Sequence, residues 1–270
     1  MSPRLARRPY PSDRTDAQGP SVEPLLPPAP GGGRPRTIDL REVVDAILSV
    51  AKTGCPWRAL PHDFPPEGSV RHYCHAWRRG GAWERLLDAL RPRVRRHEGK
   101  EHEEPTAAII DSRSVKGSRT SGLRGYDAGK EVKGTERHLL VDPPGLLLCV
   151  VVHAATIQDR DGAQLVFERG RAQCADLRLV WADGGYAGKL IGRLRSFCGW
   201  VLEIVKRDEA AKGWQLRPRR RVVERTISWL NGSRRLSRDY EYGPETSEAL
   251  IQIAMIHLML HRLAAQPVAK

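Results

Sequence analysis

Two apolar runs in this 270-residue chain each close on a single carboxylate: "AAIIDSRSVKG" at Asp111 and "LRLVWADGGYAG" at Asp183. Short apolar runs of this kind read as buried strands. An anion at the end of a buried strand is costly to desolvate unless something positive meets it. A third acid, Glu224, sits in "RRRVVERTISWLNGSRRLSRDYE", and the chain carries a formal net charge of +13. Three isolated acids in so basic a chain point to bound cations, and carboxylates that collect divalent metal beside arginine-rich sequence point to phosphodiester chemistry.

The basic excess is 45 Lys and Arg against 32 Asp and Glu, with a pI near 10.0, and most of it is arginine, which suits bidentate phosphate contact. Nucleic acid is the favoured partner. The cysteines at 55, 74, 149, 174 and 198 form no CxxC pair and no zinc-ligand spacing, and an odd number fits a reducing compartment. No apolar stretch is long enough to cross a bilayer and no signal-peptide core follows the N-terminal arginines, so a cytoplasmic, nucleoid-associated protein with no membrane partner is expected.

Residues 1–36, rich in Pro, Gly and Arg, read as an irregular basic arm that includes Arg34 and Arg36. Residues 37–97 read as a helical DNA-binding domain. Its first helix has Leu40, Val43, Val44, Ile47, Leu48 and Ala51 at helical spacing, an Asp39/Glu42 capping box and a stop at Gly54. A second is expected over 69–79, with Arg71, His72, His75, Arg78 and Arg79 opposite its apolar stripe, and a third from Ala82. Three short helices with a basic face make a helix-turn-helix-like unit, with Arg71, His75 and Arg78 placed to read base edges. The charged stretch 98–105 reads as a linker.

From 106 to 265 the pattern predicts a strand at 106–111, a hairpin of 137–142 with 146–154, and a helix near 160–173. A strand at 177–183, a helix at 186–197, a strand at 200–206 and helices near 220–236 and 245–264 follow. This predicts an α/β mixed sheet with flanking helices. If the first strand and the one at 177–183 are neighbours, Asp111 and Asp183 share a sheet edge. A divalent cation would then relieve their repulsion, since Mg²⁺ takes oxygen ligands from one or two carboxylates. Gly184 and Gly185 permit a tight turn there. Glu224 lies on a helix with Arg220, Ser228 and Asn231 along the same side. Eight arginines and this single acid occupy 217–238.

In order and spacing, "DSRSVKG" with "GYDAGKEVKG", "RHLLVDPPGLLLCVVVHAA" with "QDRDGA", "VWADGGYAG", and "VVERTISWLN" with "RRLSRDYE" resemble the DDE transposases of bacterial insertion sequences, most closely group five, related to group four. "GGGRPR", "GCPWRALPHDFP" and "AWRRGGAWERLLDAL" are similar to that group's helical DNA-binding region, and the likeness runs from about Pro9 to Arg262. The resemblance implies a ribonuclease-H-like fold whose Asp111, Asp183 and Glu224 are both catalytic and metal-binding. They would hold two Mg²⁺ ions, with Mn²⁺ able to substitute, roughly 3.5 to 4 Å apart. It implies cleavage at the element's terminal inverted repeats, then attack of the exposed 3′ hydroxyl on target DNA. The partners are double-stranded DNA and further copies of the chain, as a homodimer or higher oligomer in the synaptic complex. Arg220 matches the arginine of the related Y-R-E-K signature, whose tyrosine and lysine fall at Arg217 and Asn231. The expected DNA contacts are Arg34, Arg36, Arg71, His75, Arg78, Arg79, Lys116, Lys133, Arg220, Arg221, Arg225, Arg234 and Arg235. Thr135 and Glu136 stand where the group has a basic pair, Gly19, Pro20, Gly232 and Ser233 also depart from its pattern, and 207–217 is shortened. Two other readings use the same residues: a decayed copy that only binds DNA, and a nuclease or resolvase of the same fold without strand transfer.

Overall fold

The computed structural model describes residues 7–28, 36–205 and 218–265, with side chains in the last segment from 221 onward. Helix α1 is Leu40–Thr53; Asp39 caps it by accepting from the Arg41 amide, and Gly54 ends it in the left-handed conformation. The expected capping box is not closed, because Glu42 is drawn instead to the Arg7 guanidinium at 2.6 Å. Helices α2 (Glu67–Arg79) and α3 (Ala82–His97) follow around Gly80 and Gly81.

Strands β1 (Ala107–Lys116), β2 (Gly125–Asp127), β3 (Val132–Val141) and β4 (Leu147–Ala154) precede helix α4 (Asp159–Gln173). Strand β5 (Leu179–Ala182), helix α5 (Lys189–Cys198), strand β6 (Val201–Ile204) and helices α6 (Pro218–Asn231) and α7 (Pro244–Ala264) complete the described elements. The sheet runs β4-β3-β1-β5-β6: β1, β3 and β4 are antiparallel, β5 and β6 lie parallel to β1, and β2 extends the β4 edge of β3. This is the expected mixed sheet. Strand β1 continues five residues past Asp111, because β3 pairs with it as far as Lys116 opposite Gly134. Periodicity alone ends the strand at the acid, where the apolar run stops but the backbone ladder does not.

Alternation along the strands sends side chains into two cores. Ala108, Ile110, Leu140 and Val180 pack with α4 and α5. Ile109, Leu139, Val141 and Val150 pack on the other side with α6, α7 and the amino-terminal helices. The helical region expected to be a separate domain therefore has no core of its own among the described residues. Val43, Ile47, Trp77, Leu86 and Leu90 join Ile253, Met255 and Met259 of α7 and the sheet in one cluster. The joint is locked by an ion pair and a hydrogen bond: Arg95 Nη1 reaches Asp142 at 2.6 Å, with both side chains buried, and Arg91 donates to Leu147 O at 3.2 Å. Helix α7 is buried along most of its length, so it forms the axis between the helical region and the sheet.

Candidate active site

The parallel pairing of β1 with β5 sets Ala107, Ala108 and Ile109 opposite Leu179, Val180 and Trp181. Two residues beyond the last pair each strand's path reaches its acid, so Asp111 and Asp183 stand level, Asp183 just past the end of β5 and Asp111 where β1 leaves that partner and runs on against β3. Side-chain parity gives them the face of Ile109 and Trp181, the one that α6 covers. Each is half-buried and each has one oxygen tied to local backbone: Asp111 Oδ1 accepts from the Ser112 amide and Asp183 Oδ1 from the Gly185 amide, both at 2.8 Å. The turn after Asp183 is thus built by the acid itself. Gly184 and Gly185 keep ordinary negative-φ backbone in it, and open space adjoins Gly184.

Glu224 arrives from another layer. Val223 and Leu230 anchor α6 in the core, and α6 packs against β1, β3 and β5. Its rotation is pinned two residues past Glu224, where Thr226 Oγ1 donates to Gly145 O at 2.9 Å. Gly145 has φ +88°, and a Cβ there would meet Thr226 Oγ1 at 2.6 Å and the Trp229 ring at 2.9 Å, so glycine is required for this approach. Glu224 and Arg221 are exposed on the helix. Among the described residues, no three His, Cys, Asp or Glu side chains are grouped closely enough to hold a metal by themselves.

Behind the aspartates, on the α4 face, lies a polar layer that sequence reasoning missed. Ser112 Oγ donates to Asp159 Oδ1 at 2.8 Å, and Lys130 Nζ lies 3.3 Å from that oxygen and 2.8 Å from Glu136 Oε1. Burial pulls the Lys130 ammonium down, but its bonds to Glu136 and Asp159 outweigh this and hold it above its usual value. Asp127 Oδ1 accepts from the Gly129 and Lys130 amides, fixing the turn that presents the lysine. Tyr186 is buried here; burial first and the Asp111 charge second push its hydroxyl well up. Its oxygen lies 3.4 Å from His138 Nδ1, and burial with the neighbouring His153 drives His138 down to about 3. The signals are the Asp127-x-x-Lys130 turn and the alternation Asp111-Ser112-Arg113-Ser114, but both read equally well as polar side chains facing water.

The expected DNA contacts fall into three groups. Arg71, Arg79, Lys116, Lys133, Arg221, Arg225 and Arg234 are exposed. Arg225 and Arg262 flank the Trp229 ring, 4.7 and 4.4 Å from its centroid. Others are occupied within the protein. Arg78 pairs with Glu245 at 3.1 Å, and Arg235 pairs with Glu241 at 2.7 Å while lying over Tyr240. His75 is half-buried and pushed down by burial and then by Arg78 and Arg71. Arg36 lies over Tyr73, 5.9 Å from the ring centroid. Arg34 and the Arg220 side chain lie outside the described residues.

Comparison with known families adds to this geometry. A family model for transposases of the IS4/5 family matches residues 15–87, and one described as a transposase DDE domain matches residues 102–260. No curated protein matches the chain. The second match spans the whole sheet, both aspartates and α6, and with it the mixed sheet is a ribonuclease-H-like fold. The chain belongs to the family of transposases with a DDE domain.

Proposed function

We propose that this chain binds the terminal inverted repeats of an insertion sequence, cleaves there with Mg²⁺, and joins the freed 3′ hydroxyl to target DNA. The observation that most supports this reading is the level placement of Asp111 and Asp183 where the parallel pairing of β1 with β5 ends, on the face covered by the helix that carries Glu224. The donor set fits the metal: all three are hard carboxylate oxygens, and each aspartate spends one oxygen on a backbone amide. Asp111, Asp183 and Glu224 would hold the ions, with Mn²⁺ an acceptable substitute. When bound, Mg²⁺ supplies Lewis-acid stabilisation of the charge that develops on the phosphodiester oxygens.

The remaining work falls to the chain. The Ser112 and Gly185 amides fix the orientation of the two aspartates, and Lys130 neutralises the acids packed behind them. Exposed Arg221, Arg225 and Arg234 near α6, with Lys116 and Lys133 at the far end of the sheet, offer phosphate contacts that position DNA across the face. Arg71 and Arg79 extend the basic surface onto α2. Two element ends must meet for transposition, so two or more copies of the chain assemble in the synaptic complex. Incubating the purified protein with DNA carrying the element's ends, with and without Mg²⁺, and mapping the products tests the reading. Nicks at the ends and joined products only with metal are expected; binding without nicks under any metal condition would overturn it in favour of a DNA-binding protein alone.

A further inference from the structure

A basic cleft of about 310 Å³ lies at the end of the sheet farthest from Asp111, lined by Lys116, Gly117, Arg124, Tyr126, Glu131, Lys133 and Arg238. Four cations face one acid. Tyr126 is 55% exposed and pairs directly across from Lys133, which sets an accessible aromatic ring beside a cation. The Arg124 guanidinium is held in place, donating to Ser121 O and Arg119 O at 2.8 Å each. Exposed cations alone suit the phosphates of a duplex. A ring face among them adds a surface that paired, stacked bases cannot use, because stacking on a side chain requires a base withdrawn from its own stack.

We propose that this cleft takes one unpaired nucleotide of the bound DNA, its base stacked on Tyr126 and its flanking phosphates held by Lys116, Arg124, Lys133 and Arg238. This rests on the DNA-binding reading above and goes beyond it in naming an unpaired base as ligand. An acidic protein segment would satisfy the cations but leave the ring unused.

Geometry also places the nucleotide. Asp111 pairs with Leu139, and Lys133 lies six residues along β3 from Leu139 on the same face. At roughly 3.3 Å per strand residue this is about 20 Å. With DNA rising roughly 3.4 Å per nucleotide, the stacked base lies about six nucleotides from the phosphate at Asp111.

The test uses the full chain and its Tyr126→Ala and Tyr126→Phe variants. Affinity is measured for an oligothymidine single strand and for a fully paired duplex of equal length. Element-end DNA carrying a single unpaired 5-iodouracil at successive positions is then crosslinked by light. Wild type and Tyr126→Phe are expected to bind the single strand alike, while Tyr126→Ala binds it roughly 5- to 100-fold more weakly and changes duplex affinity less than twofold. The crosslink should map to Tyr126 and peak about six nucleotides from the cleaved phosphate. Equal losses on both DNAs, no loss on either, or a crosslink elsewhere would overturn the proposal while leaving the DNA-binding reading standing. Polyglutamate competing as well as oligothymidine, regardless of Tyr126, would overturn it in favour of an acidic protein partner. A wild-type chain that binds neither DNA would overturn both readings.

Discussion

Asp111 and Asp183 are held by backbone amides on one oxygen each, so an amide side chain can keep that bond while losing the charge. Asp111→Asn and Asp183→Asn should therefore reduce cleavage to background with stability unchanged within about 0.5 kcal/mol, read by product mapping beside urea denaturation. Gly162 is a position where a single methyl group matters. A Cβ there would stand 2.3 Å from both His138 Nε2 and His153 Nε2, two buried nitrogens without a hydrogen-bond partner among the described residues. Gly162→Ala should cost roughly 1–3 kcal/mol through overpacking, visible as a lowered denaturation midpoint with an unchanged slope. Two departures from the family pattern find local partners here: Thr135 donates to Asp239 at 2.9 Å, and Glu136 is matched by Lys130. Neither leaves a buried group unsatisfied.

Among the elements, those with strong periodicity were legible: α1 and α7 begin and end within a residue or two of expectation, α3 begins at the expected Ala82, and the apolar strands were found. What escaped was set by pairing across the chain. Strand β2 is three residues long and exists through its bonds to β3, and the extension of β1 past Asp111 has the same cause. The pairing of the two aspartates was a conditional inference from two apolar runs, and the β1–β5 register supplies its condition. The basic face of α2 illustrates the limit in the other direction. Helical spacing grouped Arg71, His75 and Arg78, but the approach of α7 brings Glu245 to Arg78, and no local pattern reports that contact. Helix α7 also carries a pH-sensitive joint. His257 is pushed down to about 4 by burial and then by His261 and Lys52. A folded value below the unfolded one near 6.5 means the unfolded chain binds the proton more readily. The stability contributed is complete above about pH 6.5 and lost as pH falls toward 4, at up to about 1.4 kcal/mol per pH unit. Urea denaturation from pH 7.5 to 4.5 should show that fall, and His257→Gln should flatten it relative to wild type; identical slopes would remove His257 as its source.

Across the whole molecule, one core joins the amino-terminal helices to the sheet through α7, although composition suggested two domains around 98–105. The charged connector links surfaces that share buried apolar area among the described residues, and a single unit of stability is the expectation. Calorimetry should accordingly show a single cooperative unfolding transition, with calorimetric and van't Hoff enthalpies equal; two separated transitions would mean that the helical region folds alone. Helix α6 packs on the sheet face of residues 111 and 183, and the central claim proposed above is that Glu224, carried on that helix, completes their site. It is tested most directly by Glu224→Gln in the Mg²⁺-dependent cleavage and joining assay, with DNA affinity measured on the same sample. Loss of both cleavage and joining, with DNA binding kept or tightened by removal of a negative charge, is the expected result. Near-normal cleavage by Glu224→Gln would contradict the three-carboxylate site.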